Sequence, residues 1–318
     1  MAFDLARLVL GIVLLYFGAE WLVGGAGGIA KAFGVSPLVI GLTVVAYGTS
    51  MPELVVSTLA AADGKSDIAL GNVVGSNIAN LGFILGLTAL IRPPEVDGSL
   101  IRREVPVMVA SAMLLPLLLW DGVITRVEGF LLLAAALTFT ALLVRTARAT
   151  PPSAALGGPA AAPEATVPAA SKPKLAALAA AGLVALLGGG KVFVDGAVHL
   201  ALELGMSERL VGLTIVAIGT SLPELAASVV AALRGQSSLA IGNVIGSNIF
   251  NVLLILGGAS VVSPIHESLA RLKVDFGALA LLSLVAMTMM TRKRLISRAE
   301  GGLLVACYGA FIGVLVVW

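Results

Sequence analysis

The chain has 318 residues, of which 58% are hydrophobic and 12% are charged, and its mean hydropathy is +1.05. This composition excludes an ordinary soluble protein and predicts an integral membrane protein. The net charge of +2 provides no basic surface, so nucleic-acid binding is not supported. The single cysteine, Cys307, excludes an internal disulfide framework.

Apolar windows of roughly 20 residues, the length at which a helix crosses a bilayer, recur along the whole chain. They predict ten transmembrane helices, at residues 5–30, 36–62, 67–91, 102–119, 123–144, 175–203, 207–233, 238–262, 272–290 and 298–318. The stretch 146–174 is rich in Ala and Pro and has few large apolar side chains, so we expect a flexible linker. The predicted units are a first five-helix repeat at 1–145, this linker, and a second five-helix repeat at 175–318.

The two five-helix units contain copies of one sequence. With a shift of 171 residues, GLTVVAYGTSMPELVVSTLAAADGKSDIALGNVVGSNIANLGFILG, from Gly41 to Gly86, aligns without a gap on GLTIVAIGTSLPELAASVVAALRGQSSLAIGNVIGSNIFNVLLILG, from Gly212 to Gly257, with 28 of 46 positions identical. Because five is odd, the second copy enters the membrane from the opposite side. The sequence therefore predicts an all-α integral membrane protein of ten transmembrane helices in two inverted five-helix repeats, an arrangement typical of secondary transporters.

The distribution of basic residues tests the inverted arrangement, because cytoplasmic loops carry an excess of Lys and Arg. The loops on the side of the linker hold thirteen basic residues, namely Lys31, Arg92, Arg102, Arg103, Arg145, Arg148, Lys172, Lys174, Arg234, Arg292, Lys293, Arg294 and Arg298. The other side, termini included, holds six, namely Arg7, Lys65, Arg126, Arg209, Arg271 and Lys273. We therefore expect a multi-pass protein of the cell inner (plasma) membrane, with a cytoplasmic linker and both termini outside.

Each repeat places one glutamate in the middle of its second span, Glu53 in the first copy and Glu224 in the second. Helical spacing places each glutamate on one face with small and hydroxyl-bearing residues, which are Ala46, Thr49, Ser50 and Ser57 in the first copy and Ala217, Thr220, Ser221 and Ser228 in the second. A buried glutamate costs at least a few kcal/mol in a bilayer unless it faces the protein interior with a partner. The pair therefore predicts one shared cation site, and the alternative is a pair of protonated acids that only cross-link helices.

A proline directly precedes each glutamate and removes the amide that would bond the carbonyl four residues back. Pro52 and Pro223 therefore predict a bend in both helices, with free carbonyl oxygens near Ala46 and Ala217. Such backbone is tolerated at membrane depth where it lines a cavity or binds an ion. Bending for packing alone is the competing interpretation.

The third span of each repeat carries a GNVxGSN motif that supplies neutral oxygens along one flank. The flank consists of Asn72, Ser76 and Asn80 in the first copy and of Asn243, Ser247 and Asn251 in the second. Hydrogen bonding between helices is the alternative role of these side chains. The motif glycines have the spacing of close helix contacts, and we expect packing at Gly71, Gly75, Gly242 and Gly246.

The chemistry of these oxygens discriminates among cations. Carboxylates, hydroxyls, amides and carbonyls without His or Cys suit Na⁺ or Ca²⁺ rather than zinc or copper. Two acids are neutralised by one Ca²⁺ or by two Na⁺, so the two ions would compete for one site. Movement permitted only when the acids are neutralised would make this competition an exchange.

The motifs GTSMPEL and GTSLPEL, each followed by GNVxGSNIxN, resemble the two alpha-repeats of the cation/Ca²⁺ exchanger superfamily, in its Na⁺/Ca²⁺ exchanger branch. The resemblance implies Na⁺-coupled Ca²⁺ antiport by alternating access, with Ca²⁺ between Glu53 and Glu224. The other ligands it implies are the carbonyls of Ala46 and Ala217 and the side chains of Thr49, Ser50, Thr220, Ser221, Ser76, Asn80, Ser247 and Asn251, with Ser57 and Ser228 bordering the Na⁺ sites. Asn251 stands where some relatives have the aspartate associated with K⁺ co-transport, so K⁺ dependence is not expected.

The nearest alternative function is Ca²⁺/H⁺ or other divalent cation/H⁺ antiport on the same scaffold, and a cation channel is a more distant one. No motif of hydrolytic or nucleotide chemistry is present, so an enzyme is not expected. We expect Ca²⁺ and Na⁺ as transported ions, no organic cofactor, the lipid bilayer as surroundings, and a monomer that suffices for transport. The short linker without acidic clusters makes Ca²⁺ regulation there unexpected.

Two charged residues lie at equivalent positions in the first span of each repeat, Glu20 and Lys191. An intramembrane ion pair between them and snorkelling of each toward the interface are the two interpretations that the sequence leaves open.

Overall fold

The computed structural model describes residues 2–149, 171–205 and 217–317, which are almost entirely helical. In chain order the helices of the first part are α1 Ala2–Phe33, α2 Pro37–Ile40, a π-helical turn Gly41–Val45, α3 Ala46–Thr49, α4 Met51–Ala62, α5 Ser66–Ala79, a π-helical turn Asn80–Ile84, α6 Leu85–Ile91, α7 Gly98–Arg102, α8 Glu104–Leu118 and α9 Arg126–Ala149. Those of the second part are α10 Lys172–Glu203, α11 Ala217–Gly219, α12 Leu222–Leu233, α13 Ser237–Phe250, a π-helical turn Asn251–Leu256, α14 Gly257–Val262, α15 Lys273–Lys293 and α16 Arg298–Val317.

The helices lie at the predicted transmembrane positions. Among the described residues, seven helices are each long and apolar enough to cross a membrane, and Pro37–Thr49 with Met51–Ala62 forms an eighth span, bent by 45°. The fourth and seventh predicted spans contain the shorter apolar helices α8 and α12. Residues 206–216, at the start of the seventh span, lie outside the described residues.

Both described ends of the predicted linker are helical. Helix α9 continues to Ala149 and α10 begins at Lys172, with Pro173 in its first turn, where proline is tolerated because that amide has no helical acceptor. The Ala/Pro-rich part between them, 150–170, lies outside the described residues.

The loops lie at two opposite faces of the molecule, and loops of the same face contact each other. On the face where α9 ends and α10 begins, which we call the linker side, Arg92 donates to the carbonyl of Leu233 at 2.7 Å. On the opposite face, the terminal side, strands β1 Val123–Ile124 and β2 Ile265–His266 pair antiparallel, with Val123 opposite His266 and Ile124 opposite Ile265. Each contact joins loops that the ten-span arrangement places on one side of the membrane.

The fifth helix of each repeat begins with the same reciprocal cap. Thr125 and Glu128 form it at the start of α9, where the threonine amide donates to the carboxylate at 2.7 Å and the glutamate amide donates to the hydroxyl at 3.3 Å. Ser297 and Glu300 form it at the start of α16, with corresponding distances of 2.8 and 3.3 Å. This capping box satisfies amides that have no partner within the helix, so both helices start at defined residues.

Helices α1 and α10 pack antiparallel along glycines spaced seven residues apart. A Cβ atom on Gly18 would lie 2.7 Å from the amide nitrogen of Leu186, and one on Gly25 would lie 2.6 Å from that of Ala179. The equivalent glycine of α10, Gly189, faces α1 in the same way. The absence of side chains lets the two backbones approach closely, as is typical of membrane helices.

Candidate ion-binding site

The second span of the first repeat and its counterpart in the second repeat are interrupted immediately before the glutamates. Helix α3 ends before Ser50, whose φ and ψ are −80° and 8°, and α12 begins after Ser221, whose values are −91° and 8°. A proline stands in the first turn after each interruption, as its missing amide permits. The predicted interruption is therefore present in both repeats, with a bend of 45° in the first, and each acid lies in the first turn of a helix, where the helix dipole favours negative charge.

The two glutamates are buried and are bound to each other's repeats. Glu53 and Glu224 are each 1% exposed. Ser50 donates a hydrogen bond to Oε1 of Glu224 at 3.0 Å, and Ser221 donates one to Oε1 of Glu53 at 3.2 Å. The structure thus brings together four of the predicted residues, in an arrangement that repeats the inverted symmetry of the sequence.

Among the described residues, the second oxygen of each acid has no hydrogen-bond partner, and several neutral oxygens share this property. The buried, unpartnered oxygens among the predicted ligands are Oε2 of Glu53 and Glu224, Oγ of Ser76 and Ser247, Oδ1 of Asn80 and Asn251, and Oγ1 of Thr220. Buried polar atoms normally have partners, so an unpartnered set needs an explanation. Three pairs of this set are equivalent between repeats, and all are hard oxygen ligands suited to Na⁺ or Ca²⁺.

The asparagines of the third spans begin a local change of helix type. A π-helical turn starts at Asn80 and another at Asn251. Such turns occur frequently at functional sites, because they re-aim side chains within a helix. Across the repeats, Nδ2 of Asn251 donates to Oδ1 of Asn77 at 3.0 Å. The side-chain oxygen Oδ1 of Asn251 has no hydrogen-bond partner among the described residues. Residue composition did not predict these turns or the contact with Asn77.

Asn72 and Asn243 hold the backbone of the two acids. Asn72 donates to the carbonyl of Glu53 at 3.2 Å and to the hydroxyl of Ser57 at 2.9 Å. Asn243 makes the equivalent bonds to Glu224 at 3.3 Å and Ser228 at 3.0 Å. Hydrogen bonding between helices is the alternative role that the sequence indicates for these asparagines, and these bonds confirm it for Asn72 and Asn243. The sequence did not predict that the acceptors include the backbone carbonyls of the two acids.

The hydroxyls that the resemblance places at the border of the Na⁺ sites are already engaged in helix contacts. Ser57 donates to the carbonyl of Ala69 at 3.2 Å and accepts from Asn72. Ser228 accepts from Asn243. These bonds tie the second span of each repeat to its third span.

The remaining predicted ligands differ in how they are engaged. The hydroxyl of Thr49 is buried and lies within hydrogen-bond distance of the carbonyl of Val45, at 3.1 Å, and of Oδ1 of Asn243, at 3.2 Å. The carbonyl of Ala46 was expected to be free, but it accepts from the amide of Ser50 at 3.1 Å, because the interruption begins only after that residue. The side chain of Ala217 lies outside the described residues.

The charge of this region comes from two carboxylates. Among the described residues, no group of three or more His, Cys, Asp and Glu side chains is placed to hold a metal ion. The hydrogen bonds to the carboxylates of Glu53 and Glu224 come from the neutral hydroxyls of Ser50 and Ser221. The arrangement therefore carries at most two negative charges.

The glycines of the third spans pack as expected in one copy. A Cβ atom on Gly242 would lie 2.8 Å from the carbonyl oxygen of Leu38, and one on Gly246 would lie 2.8 Å from Cβ of Ala46. In the first copy, no described atom lies within 4 Å of such a Cβ on Gly71 or Gly75. The residues equivalent to their expected partners fall within 209–217, so that contact lies outside the described side chains.

Glu20 does not form the ion pair with Lys191 that was one of the two interpretations of the sequence. That glutamate is paired with Arg234, whose Nε donates to Oε1 at 3.0 Å and whose terminal nitrogen contacts Oε2. The antiparallel packing of α1 and α10 explains the difference, because Glu20 and Lys191 lie on opposite sides of the centre of their contact. Lys191 itself is exposed.

Comparison with known proteins places these features in one family. The model of the family described as sodium/calcium exchanger protein matches residues 3–145 and 174–317. A candidate antiporter of Alkalimonas amylolytica, CaxA, is 41% identical over 317 residues, covering 96% of this chain and 95% of its own. The sodium/calcium exchanger MaX1 of Methanosarcina acetivorans is 33% identical over 340 residues, covering 97% of both chains. The inner membrane protein YrbG of Escherichia coli is 34% identical over 292 residues, with 88% and 86% covered.

A solved structure extends the similarity to three dimensions. The sodium-calcium exchanger NCX_Mj, soaked with Na⁺ and Ca²⁺, matches with a TM-score of 0.82 and 33% sequence identity, over 98% of each chain. This match confirms the predicted fold, an all-helical membrane protein of ten transmembrane helices in two inverted five-helix repeats.

Proposed function

Because the chain belongs to the sodium/calcium exchanger family and is thus a secondary transporter rather than an enzyme, we propose that it is a Na⁺-coupled Ca²⁺ antiporter. The chain is a cation/Ca²⁺ exchanger. Our proposal is that Na⁺ is its coupling ion. One observation carries it. Two buried acids from inverted repeats are each bound by a serine of the other repeat, and each keeps one carboxylate oxygen without a hydrogen-bond partner among the described residues.

In this proposal the cation site is shared by both repeats near the middle of the membrane. Glu53 and Glu224 supply the charge, and their Oε2 atoms, which have no hydrogen-bond partner among the described residues, are ligands for the ion. The neutral ligands are those predicted from the sequence, namely Ala46, Ala217, Thr49, Thr220, Ser50, Ser221, Ser76, Ser247, Asn80 and Asn251. Neutral oxygens favour ions with a flexible oxygen shell, which suits both Na⁺ and Ca²⁺.

Charge balance is the basis of the proposed exchange. Two carboxylates are neutralised by one Ca²⁺ or by two Na⁺, and a third Na⁺ would leave one excess positive charge. Moving an unbalanced buried charge through the bilayer is costly. Alternating access would therefore proceed with either ion bound and be hindered without one, so Na⁺ moving one way drives Ca²⁺ the other.

The proposed location is the inner membrane, where the name of the Escherichia coli relative YrbG places that protein. The excess of Lys and Arg in the loops of the linker side supports a cytoplasmic linker with both termini outside. The chain contributes both acids of the site itself, which supports transport by a monomer.

The test is Ca²⁺ uptake in liposomes that contain the purified full-length chain. An outward Na⁺ gradient is expected to drive ⁴⁵Ca²⁺ uptake without K⁺, and a pH gradient alone is expected to drive none. Uptake driven by the pH gradient without Na⁺ would instead establish Ca²⁺/H⁺ antiport, and uptake that needs K⁺ would contradict the assignment drawn from Asn251.

The same assay tests the acids. Glu53→Gln or Glu224→Gln is expected to lower Na⁺-driven uptake on the order of a hundredfold, because removing one of two buried charges leaves the ion without its partner. Glu104→Gln is the matched control, since Glu104 is another buried acid, 6% exposed, at the start of α8. Uptake at the unsubstituted rate in Glu53→Gln would reject this site, whereas equal loss in all three variants would show general damage.

A further inference from the structure

The two sides of the molecule are not equally closed, although the repeats are equivalent. On α12, Ala227 is 0% and Val230 is 5% exposed, because α1 covers this face. Their equivalents on α4 under the 171-residue shift, Val56 and Leu59, are 37% and 60% exposed. Helix α1 therefore lies against α12 on the linker side, and α10 does not cover α4 in the same way on the terminal side.

An ion pair stabilises the contact between α1 and α12 on the linker side. Arg234, at the end of α12, binds both carboxylate oxygens of Glu20 on α1. A two-point contact of this kind fixes geometry as well as charge. Nearby, Arg92 donates to the carbonyl of Leu233, which ties the end of α12 to a second linker-side loop.

On the terminal side, where α4 is exposed, the residues equivalent to Glu20 and Arg234 carry the opposite charges. Under the same shift, Glu20 corresponds to Lys191 and Arg234 corresponds to Asp63. Among the described ion pairs these two residues do not meet, since Lys191 is exposed and Asp63 pairs with Lys65 at 3.6 Å. Lys191 and Asp63 are nevertheless complementary, and each occupies the position that its counterpart uses for pairing on the linker side.

We propose that Glu20–Arg234 and Lys191–Asp63 are alternating locks, one for each side of the membrane, with reversed polarity. In the opposite conformation α10 closes on α4, Lys191 replaces Lys65 as the partner of Asp63, and Glu20 releases Arg234. Inverted repeats exchange their conformations in alternating access, so a contact present on one side is expected at the equivalent place on the other. The lock that forms biases the equilibrium between the two conformations.

Cross-linking tests this without ion transport, so its result is independent of the proposed coupling to Na⁺. In a Cys307→Ala background, cysteines replace Asp63 and Lys191, and a short bifunctional thiol reagent records how often these positions approach. Arg234→Gln, which opens the linker-side lock, is expected to raise the cross-linking rate about threefold to fivefold, the effect of a partly exposed pair. Arg298→Gln, on the same side, is expected to leave the rate unchanged.

A variant with the charges of the pair reversed is the control for loss of structure. Glu20→Arg with Arg234→Glu keeps the linker-side pair and is expected to return the cross-linking rate to that of the unsubstituted lock. The proposal is overturned if cysteines at 63 and 191 never cross-link, if Arg234→Gln has no effect, or if Arg298→Gln raises the rate equally.

Discussion

At the scale of single residues, two asparagines determine how the acids are presented. Asn72 and Asn243 bind the backbone carbonyls of Glu53 and Glu224, and each also holds a serine one turn further along. In the proposed site these two asparagines would therefore position the acids. The two are not equally placed, because Asn243 is completely buried and also lies within hydrogen-bond distance of the Thr49 hydroxyl, whereas Asn72 is half-buried.

This asymmetry gives a prediction for the pair Asn243→Ala and Asn72→Ala. Each variant loses the bonds to the acid's carbonyl and to the serine, and Asn243→Ala also loses the Thr49 contact at a completely buried position, so its cost is expected to be the larger, at about 1–3 kcal/mol. Its unfolding midpoint in detergent is therefore expected to fall further than that of Asn72→Ala, and its apparent Ca²⁺ affinity in uptake assays is expected to fall as well. A larger loss in Asn72→Ala, or equal losses, would contradict the importance of burial and of the Thr49 contact.

The extent to which residues were predictable follows from their chemistry. Acids and prolines in a membrane span are costly wherever they point, so Glu53 and Pro52 indicated a bent, charged site from the sequence alone. Which serine donates to which acid depends on how two distant helices are rotated, and no residue pattern contains that angle. The partner of Glu20 was missed for the same reason, since Arg234 reaches it from a loop 214 residues away in sequence.

At the scale of elements, spans were predictable and their internal irregularities were not. Apolar length located the helices to within a few residues, because the bilayer sets that length. The π-helical turns at Asn80 and Asn251 depend on an extra residue in one turn, which composition does not reveal. The glycines of α1 and α10 show a further limit. Their seven-residue spacing is visible in the sequence, but only the structure shows which of them touch.

Those contacts predict the effect of adding one methyl group to α10. A Cβ on Gly182 would meet the backbone of Leu22 and lie 2.7 Å from the carbonyl oxygen of Gly18, so Gly182→Ala is expected to force the helices apart and cost about 1–3 kcal/mol. Gly188→Ala, on the same helix with no described atom within 4 Å, is expected to be neutral or stabilising, since alanine favours helices by about 1 kcal/mol over glycine.

Thermal unfolding in detergent of the two variants separates these expectations. A lower midpoint in Gly182→Ala alone supports the close contact of α1 and α10. Equal midpoints would mean that the backbones are further apart than the structure places them, because the helix preference for alanine is the same at both positions.

At the scale of the whole molecule, the two repeats hold each other through contacts that do not involve the linker. These are the backbone contact of α1 with α10, the pairing of β1 with β2, and the serine–glutamate bonds across the site. Neither repeat contains both acids. The covalent connection between the repeats therefore raises the effective concentration of each repeat near the other, and it supplies no part of the site.

Two separate chains are accordingly expected to reproduce the transporter. Residues 1–149 and 171–318, expressed together, are expected to purify as a complex and to drive Na⁺-dependent ⁴⁵Ca²⁺ uptake at a rate per complex comparable to that of the intact chain, because the contacts between repeats remain. Either chain alone is expected to give none, since it supplies one glutamate. Glu53→Gln in the first chain is expected to lower uptake of the complex on the order of a hundredfold, as in the intact chain, although the second chain is unchanged. Uptake by one chain alone would show that two copies of a single repeat form a site, and a shared site would then be unnecessary.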